Sequence, residues 1–407
     1  MILLRQKIEA EIRERGPIPF SRYMELCLYD PELGYYSRHA DQFGKAGDFY
    51  TSSDVHAVFG RLMARQFDEM WRVLGSPNQV TVIELGPGRG LFAQVVLDWS
   101  DKKFPDFFRA LRYVLVESSP ALRQRIEENL HRHLKSGKAV SMQDHFGIEK
   151  GGNSAAEARL STYPSGTLRS LRSLRAGSKT EIVLFPGIVF ANEFFDSLPV
   201  EIVSTQGSLR VDSRDGRFVE IWAPASPEEI EFLDRYSIHP EPGERVEVSL
   251  AAQQYAERVL SAIGRGFFVA IDYGYARAEQ LAGRHRGTLK AIRQHSVSAN
   301  PYEAPGEQDI TADVNFTALA AVAEAQGMQP QRLVTQSQFL MGIGEGNQFA
   351  DAFEDCRLPQ ERAKVALQLK HLVTPAGMGE SFHVMVASKG VEQEKTAALA
   401  GLSFGRK

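Results

Sequence analysis

Two carboxylates and three glycines form the part of this chain best suited to chemistry. Glu84 lies near the end of the apolar run Val80-Thr-Val-Ile-Glu-Leu85, and Gly86, Gly88 and Gly90 follow two apart, separated by Pro87 and Arg89. Glycines in such a turn let the backbone bend sharply and approach a ligand with no Cβ in between. A dinucleotide-binding turn would carry its third glycine at position 91 and a pyrophosphate on the helix N-terminus. Position 91 is Leu, and Glu84 would repel a pyrophosphate yet suits the α-ammonium of a methionine moiety. A second apolar run, Arg112-Tyr-Val-Leu-Val-Glu117, ends in a carboxylate that can accept both ribose hydroxyls of an adenosyl group. These residues describe a site for S-adenosylmethionine, with S-adenosylhomocysteine as the product. Its candidate contacts are Glu84, Gly86, Pro87, Gly88, Gly90, Glu117 and Ser118, joined by Gly47, Thr51 and Asp144.

Methyl transfer is an in-line displacement at a sulfonium carbon, so the enzyme must chiefly position a nucleophile and manage charge; proximity alone can supply ~7–11 kcal/mol. A guanidinium, with a pKa above about 12, is a poor nucleophile unless carboxylates hold it. Glu193 and Asp196 follow the apolar run Gly187-Ile-Val-Phe-Ala191 and can grip it by charge-assisted hydrogen bonds, with Asn192 supplying a carbonyl acceptor. Asp48 completes the catalytic candidates, from the glycine-rich loop Gly44-Lys-Ala-Gly-Asp-Phe-Tyr-Thr-Ser52, which reads as a lid. His295 and the stretch Asp309-Ile-Thr-Ala-Asp313 form a further polar cluster, in which Thr311 or Asp313 can equally cap a following helix. His131 and His133 lie two apart on an expected helix and so diverge, and no metal site is expected.

These residues need a sheet to bring them together. The runs ending at Glu84, Glu117 and Asn192, and the fifth run Phe267-Phe-Val-Ala-Ile-Asp272, read as buried parallel strands whose carboxyl ends share one edge, where α/β folds bind ligands. Between them the periodicity predicts a long helix from Ser52 or Ser53 to Leu74, closed by Gly75 and Pro77, and another from Leu91. A third, capped by Ser119 and opened by Pro120, is expected to run to about His133. Two short helices broken at Gly16-Pro-Ile-Pro19 begin the chain, and short strands at about 200–204, 209–212 and 217–222 form an antiparallel meander with a hairpin turn at Asp215-Gly216. Helices near 249–263 and 315–326, a strand near 330–335, helices between 337 and 370 and a last strand Phe382–Ala387 complete the pattern. Residues 146–180, rich in Gly, Ser and Arg, read as an exposed insertion.

With 47 basic and 51 acidic residues the chain lacks the basic footprint of a general nucleic-acid binder. It has no apolar run long enough for a membrane span, and no signal or transit peptide is expected at Met1–Glu14. Its two cysteines, Cys27 and Cys356, read as buried thiols in a reducing compartment, expected to be the cytoplasm of a bacterium. A monomer or homodimer is expected.

With those residues in view, the chain resembles the MidA family, also known as DUF185 or the mitochondrial complex I assembly methyltransferase family. The likeness is carried by Gly16-Pro-Ile18, Tyr23-Met24, Asp30-Pro31 with Gly34-Tyr-Tyr36, Gly47-Asp-Phe49 and Glu84-Leu-Gly-Pro-Gly-Arg-Gly90 with Glu117. Asn192-Glu-Phe-Phe-Asp196 with Leu198-Pro199, Asp272-Tyr-Gly274, Asp309-Ile-Thr-Ala-Asp313 and Met378-Gly-Glu380 extend it over nearly the whole chain. The family often has Thr-Ser-Pro after Gly-Asp-Phe-x where this chain has Thr51-Ser-Ser53, and its insertion is longer. The resemblance implies an α/β fold of the class I S-adenosylmethionine-dependent methyltransferases, Rossmann-like, with a seven-stranded mostly parallel sheet, an N-terminal helical extension and α+β insertions. The expected division is an extension and lid over 1–78, the catalytic domain over 79–390 with the meander at about 200–245, and a tail over 391–407. The resemblance further implies methylation of a protein substrate on arginine. The alternatives are a catalytically weak cofactor-binding assembly factor and, disfavoured by Leu91 and Glu84, a nicotinamide-dependent oxidoreductase.

Overall fold

The computed structural model describes residues 2–38, 57–143, 185–280, 287–293, 296–298 and 300–405. Gly47, Asp48, Thr51, Asp144, His295, the start of the long helix at Ser52 or Ser53 and the insertion at 146–180 lie outside these.

The central sheet is built on β1 (Val80–Leu85), β2 (Leu111–Val116), β3 (Ala139–Met142), β4 (Phe185–Asn192), β5 (Ile263–Tyr275) and β6 (Phe382–Lys389). Its order is β6-β5-β4-β1-β2-β3; β1 to β5 are parallel and β6 is antiparallel to β5. A seventh position, beyond β6, is filled by two short pieces, Gln329–Pro330 and Val334–Thr335, where the pattern predicts one strand. Val314–Asn315 adds a further parallel pair at the far end of β5.

The runs are continuously apolar because both faces are covered. Alternate residues Val80, Val82, Ile188, Phe190, Val269 and Ile271 face one core with the helices Ala57–Val73 and Leu91–Lys103. Leu85, Val189, Ala191, Phe268 and Ala270 face another with the helices Leu250–Leu260 and Phe316–Ala325. Gly60 permits the close crossing of the first helix pair, since a Cβ there would stand 2.7 Å from the Val95 side chain.

The N-terminal helices Ile2–Arg15 and Phe20–Tyr29 form a third core with the meander: Leu4, Ile8, Phe20 and Tyr23 pack with Leu209, Val211 and Phe218. Ile18–Pro19 between them joins the meander's own sheet, pairing antiparallel with Gly207–Arg214. The hairpin turn at Asp215-Gly216 is present, both residues having positive φ (51° and 69°).

Several expectations change. The helix opened by Pro120 stops at Asn129 and a separate short helix, His131–Lys135, follows. The stretch at 309–313 contributes a strand, Asp309–Thr311, to a small sheet with Lys290–Arg293 and Ser296–Ser298. The residues after 390 form two short helices rather than a tail, held where Gln66 and Glu69 accept the N–H groups of Gly401 and Ala400. An unanticipated helix, Pro227–Tyr236, starts with a full capping box between Ser226 and Glu229. Cys27 is buried, but Cys356 is only half-buried.

Candidate functional site

Register determines where the acids stand. Leu85 pairs with Val116 on one side and Ala191 on the other, and Asn192 pairs with Ile271. Glu84, Glu117, Glu193 and Asp272 therefore gather within a residue or two of one line along the carboxyl edge.

On the β1–β2 side the backbone itself shapes the site. Gly86, Gly88 and Gly90 all adopt left-handed φ (63°, 56° and 75°). A Cβ on Gly86 would come within 2.8 Å of the Phe194 ring, and one on Gly90 within 2.5 Å of Leu130, so these two glycines allow close packing. A Cβ on Gly88 would meet no atom of the described residues within 4 Å, so among them this glycine faces open space at the strand edge. Glu117 closes the cradle, Oε2 accepting the Gly88 N–H (3.2 Å) and Oε1 the Ser119 N–H (2.9 Å). Arg123 donates to the carbonyls of Glu117 and Ser118 (2.9 and 2.7 Å), and Ser119 caps the following helix at Leu122 N. Burial pushes Glu117 up to about 7 despite those backbone donors. Glu84 is buried as well, pushed up to about 8 by desolvation and by Glu117, while the Tyr113 hydroxyl donates to it at 2.9 Å. Two carboxyls so raised favour a cation beside them. The open Gly88 face, the remaining lone pairs of Glu117 and the raised Glu84 fit an adenosyl group bearing an ammonium and a sulfonium.

The β4–β5 side is assembled from distant segments. Asn192 donates to Glu193 Oε1 (3.2 Å), and Glu193 has left-handed backbone (φ 49°) with its N–H on the Ile271 carbonyl. Left-handed backbone is uncommon for a non-glycine residue outside Asn and Asp, and costs on the order of 1 kcal/mol or more. Asp272, which sequence reasoning left out of the site, receives three N–H groups of the next turn, from Phe194, Phe195 and Asp196 (3.1, 3.1 and 3.4 Å). It is 1% exposed, and burial together with Asp196 and Glu193 holds it well above the usual carboxylate range. Asp196 is itself 6% exposed. The Tyr273 hydroxyl donates to its Oδ2, and burial pushes it up to about 6. Tyr29 donates to the Ser197 carbonyl (3.0 Å), and Tyr36 to Asp309 Oδ1 (2.8 Å) while its own carbonyl accepts from Ser119 Oγ (2.7 Å).

The structure thus brings Glu84, Gly86, Pro87, Gly88, Glu117, Ser118, Asn192, Glu193 and Asp196 to one edge, and sets Gly90 in the packing beneath it. Tyr29, Tyr36, Asp272 and Tyr273 were missed as site residues. Asp272-Tyr273 carried a signal, an acid at the end of a buried strand, and Tyr36 stood in the family mark Gly34-Tyr-Tyr36; Tyr29 carried none. Among the described residues no group of His, Cys, Asp and Glu is arranged to hold a metal ion; His133 is buried against Asp98 (2.8 Å). No helix among them is long and apolar enough to cross a membrane.

Comparison with known proteins agrees with this geometry. The sequence profile of a family described as S-adenosyl-L-methionine-dependent methyltransferases matches residues 62–334. A relative in Drosophila melanogaster, the mitochondrial protein arginine methyltransferase NDUFAF7 homolog, is 28% identical across 95% of this chain and 85% of its own length. The human mitochondrial protein arginine methyltransferase NDUFAF7 is 26% identical, over 92% and 80%. A crystal structure of a COG1565 superfamily member from Burkholderia thailandensis, bound to S-adenosyl-homocysteine, superposes with a TM-score of 0.77 at 27% identity, covering 98% of this chain and 94% of that one.

Proposed function

Because this chain belongs to that family of S-adenosyl-L-methionine-dependent methyltransferases, we propose that it methylates a protein substrate on arginine, with the acceptor held at the tip of β4. The cofactor supplies an activated methyl group on a sulfonium. Glu117 receives the ribose hydroxyls, Glu84 the α-ammonium, and the open face of Gly88 leaves room for the methionine chain.

The observation that carries the reading is Glu193, a carboxylate held in left-handed backbone one residue beyond the aligned strand ends. Strained backbone persists where the surroundings demand it, and clusters at working sites. There Glu193, steadied by Asn192, concentrates a guanidinium's positive charge on the nitrogens it binds and leaves another nitrogen's lone pair facing the methyl carbon. As the N–C bond forms the S–C bond breaks, the sulfonium becomes a neutral thioether, and the proton shed by the methylated nitrogen passes to the acids at the β4 tip.

Relatives named as protein arginine methyltransferases support the substrate class, and two free cysteines suit the reducing cytoplasm of a bacterium. The test is to incubate the protein and methyl-labelled cofactor with extract from cells that lack it, then hydrolyse the labelled protein. Label in methylarginines, absent with Glu193→Gln, is expected; label in another residue, or none, overturns the reading.

A further inference from the structure

Asp196 has one carboxylate oxygen that no described residue pairs with in hydrogen-bonding geometry. Oδ2 takes the Tyr273 hydroxyl, but Oδ1 is buried without a hydrogen-bond partner among the described residues, in a side chain 94% removed from solvent by its 6% exposure. A buried acceptor left unpaired costs roughly 1–3 kcal/mol, more if it is charged, and native proteins seldom tolerate one without a use.

Its surroundings are phenolic. Tyr29 and Tyr36, from the N-terminal extension, lie with ring centroids 5.4 Å apart, and both hydroxyls sit in the field of Asp196 and Asp309. The Tyr36 carbonyl receives Ser119 Oγ just after β2 and the Tyr29 hydroxyl donates to the Ser197 carbonyl after β4, so the phenols stand between the two strand tips. Lys290, a cation whose charge reaches Asp196, lies over the Tyr273 ring (4.9 Å) and is paired with Asp313 (3.0 Å); it makes no hydrogen bond to Oδ1.

We propose that Asp196, Tyr36 and Asp309 form a specificity pocket for a planar guanidinium, with Asp196 Oδ1 as the receiving atom and Tyr36 as the wall nearest the cofactor. The pocket rests on the arginine-methyltransferase reading and adds to it the residues that select the acceptor. A guanidinium is flat, weakly hydrated and stacks on aromatic faces while donating in a fork, whereas an ammonium is compact and strongly hydrated. Phenol rings gathered beside one unpaired carboxylate oxygen therefore favour arginine over lysine. Tyr36 joins the two halves of the site, since its hydroxyl goes to Asp309 and its carbonyl receives Ser119 from the cofactor loop.

The test titrates Nα-acetyl-L-arginine N-methylamide into protein saturated with S-adenosylhomocysteine. Saturable binding is expected, weakened roughly ten-fold or more by Asp196→Asn and by Tyr36→Phe, the size of a lost hydrogen bond to a charged group. Homocysteine-product affinity should stay within about three-fold in both variants, and the lysine analogue should bind about ten-fold more weakly than the arginine probe. Tyr36→Phe keeps the ring and so guards against a folding defect in Asp196→Asn. Equal binding of the two analogues, unchanged arginine affinity in both variants, or no binding by the wild type would overturn the pocket. Label in protein methylarginines with no probe binding would sink the pocket and leave the arginine reading standing; the reverse would keep a guanidinium pocket and sink the reaction.

Discussion

The two halves of the site are built on opposite plans. At the β1–β2 tips the partners are near in sequence or on neighbouring strands: Gly88 and Ser119 satisfy Glu117, and Tyr113 satisfies Glu84 from the adjacent strand. At the β4–β5 tips the contacts span the chain, with Tyr36 on Asp309, Tyr29 on Ser197 and Tyr273 on Asp196. The cofactor half is a local backbone device that can recur wherever a strand meets a glycine turn. The acceptor half exists only once the extension, the meander and the sheet have docked, so its shape is the part of the fold free to define a substrate.

The comparison breaks most visibly at Gly88. Gly88→Val puts a branched side chain at φ 56°, into space that no described residue fills, so cofactor binding should be lost while the surrounding packing persists. Calorimetry that finds normal S-adenosylhomocysteine affinity in the folded variant would remove the glycine turn from the site.

Glu193→Gln probes the other half. Shape is kept and charge removed, so turnover should fall by ~10²-fold or more, as when a preorganised charge acting on the transition state is lost. Cofactor affinity should change by only a few-fold. Wild-type turnover would make Glu193 structural; joint loss of cofactor binding and thermal stability would make it a turn-former shared by both halves.

Glu117→Ala should weaken the homocysteine product by roughly 1.5–3 kcal/mol, the range for hydrogen bonds to a charged group. Titration showing unchanged affinity would place the ribose elsewhere.

The smallest effect is a pH slope. Glu84 and Glu117 have folded pKa values near 8 and 7, above the ordinary value of 4.5, because burial disfavours their charge. A carboxyl that holds its proton more tightly when folded stabilises fully below its unfolded pKa and loses that contribution as pH rises through the folded value. The Tm of the ligand-free protein should thus fall between about pH 4.5 and pH 8, the interval from the unfolded to the higher folded value, and level off above it. Glu84→Gln should flatten the fall, and differential scanning fluorimetry giving the same slope in the variant would mean that Glu84 is not a buried neutral acid.

The fold was legible where burial imposed a period. Continuous apolar runs became parallel strands, the 3,4-spacing from Val58 became one helix ending at Val73, one residue short of the expected Leu74, and Ser119-Pro120 capped another as its chemistry requires. It was less legible where the signal was short. Leu130 interrupts the helix before His131, and the strand near 330–335 divides into two pieces on β6. The capping box at Ser226 was present in the sequence but lay between strand-like segments, and the last residues were polar enough to pass for a tail until Gln66 and Glu69 are seen holding them.

By itself the sequence determined the parallel sheet and the cofactor half, because apolar periodicity, glycine at left-handed positions and an acid at a strand's end act over a few residues. Only the tertiary structure decided the acceptor half. The left-handed backbone of Glu193, the three N–H groups on Asp272, the vacant oxygen of Asp196 and the reach of Tyr36 to Asp309 depend on strand register and on docking across as many as 273 positions. Spacing along a chain carries no record of such contacts; they arise when buried apolar faces pack and leave their polar neighbours to find one another.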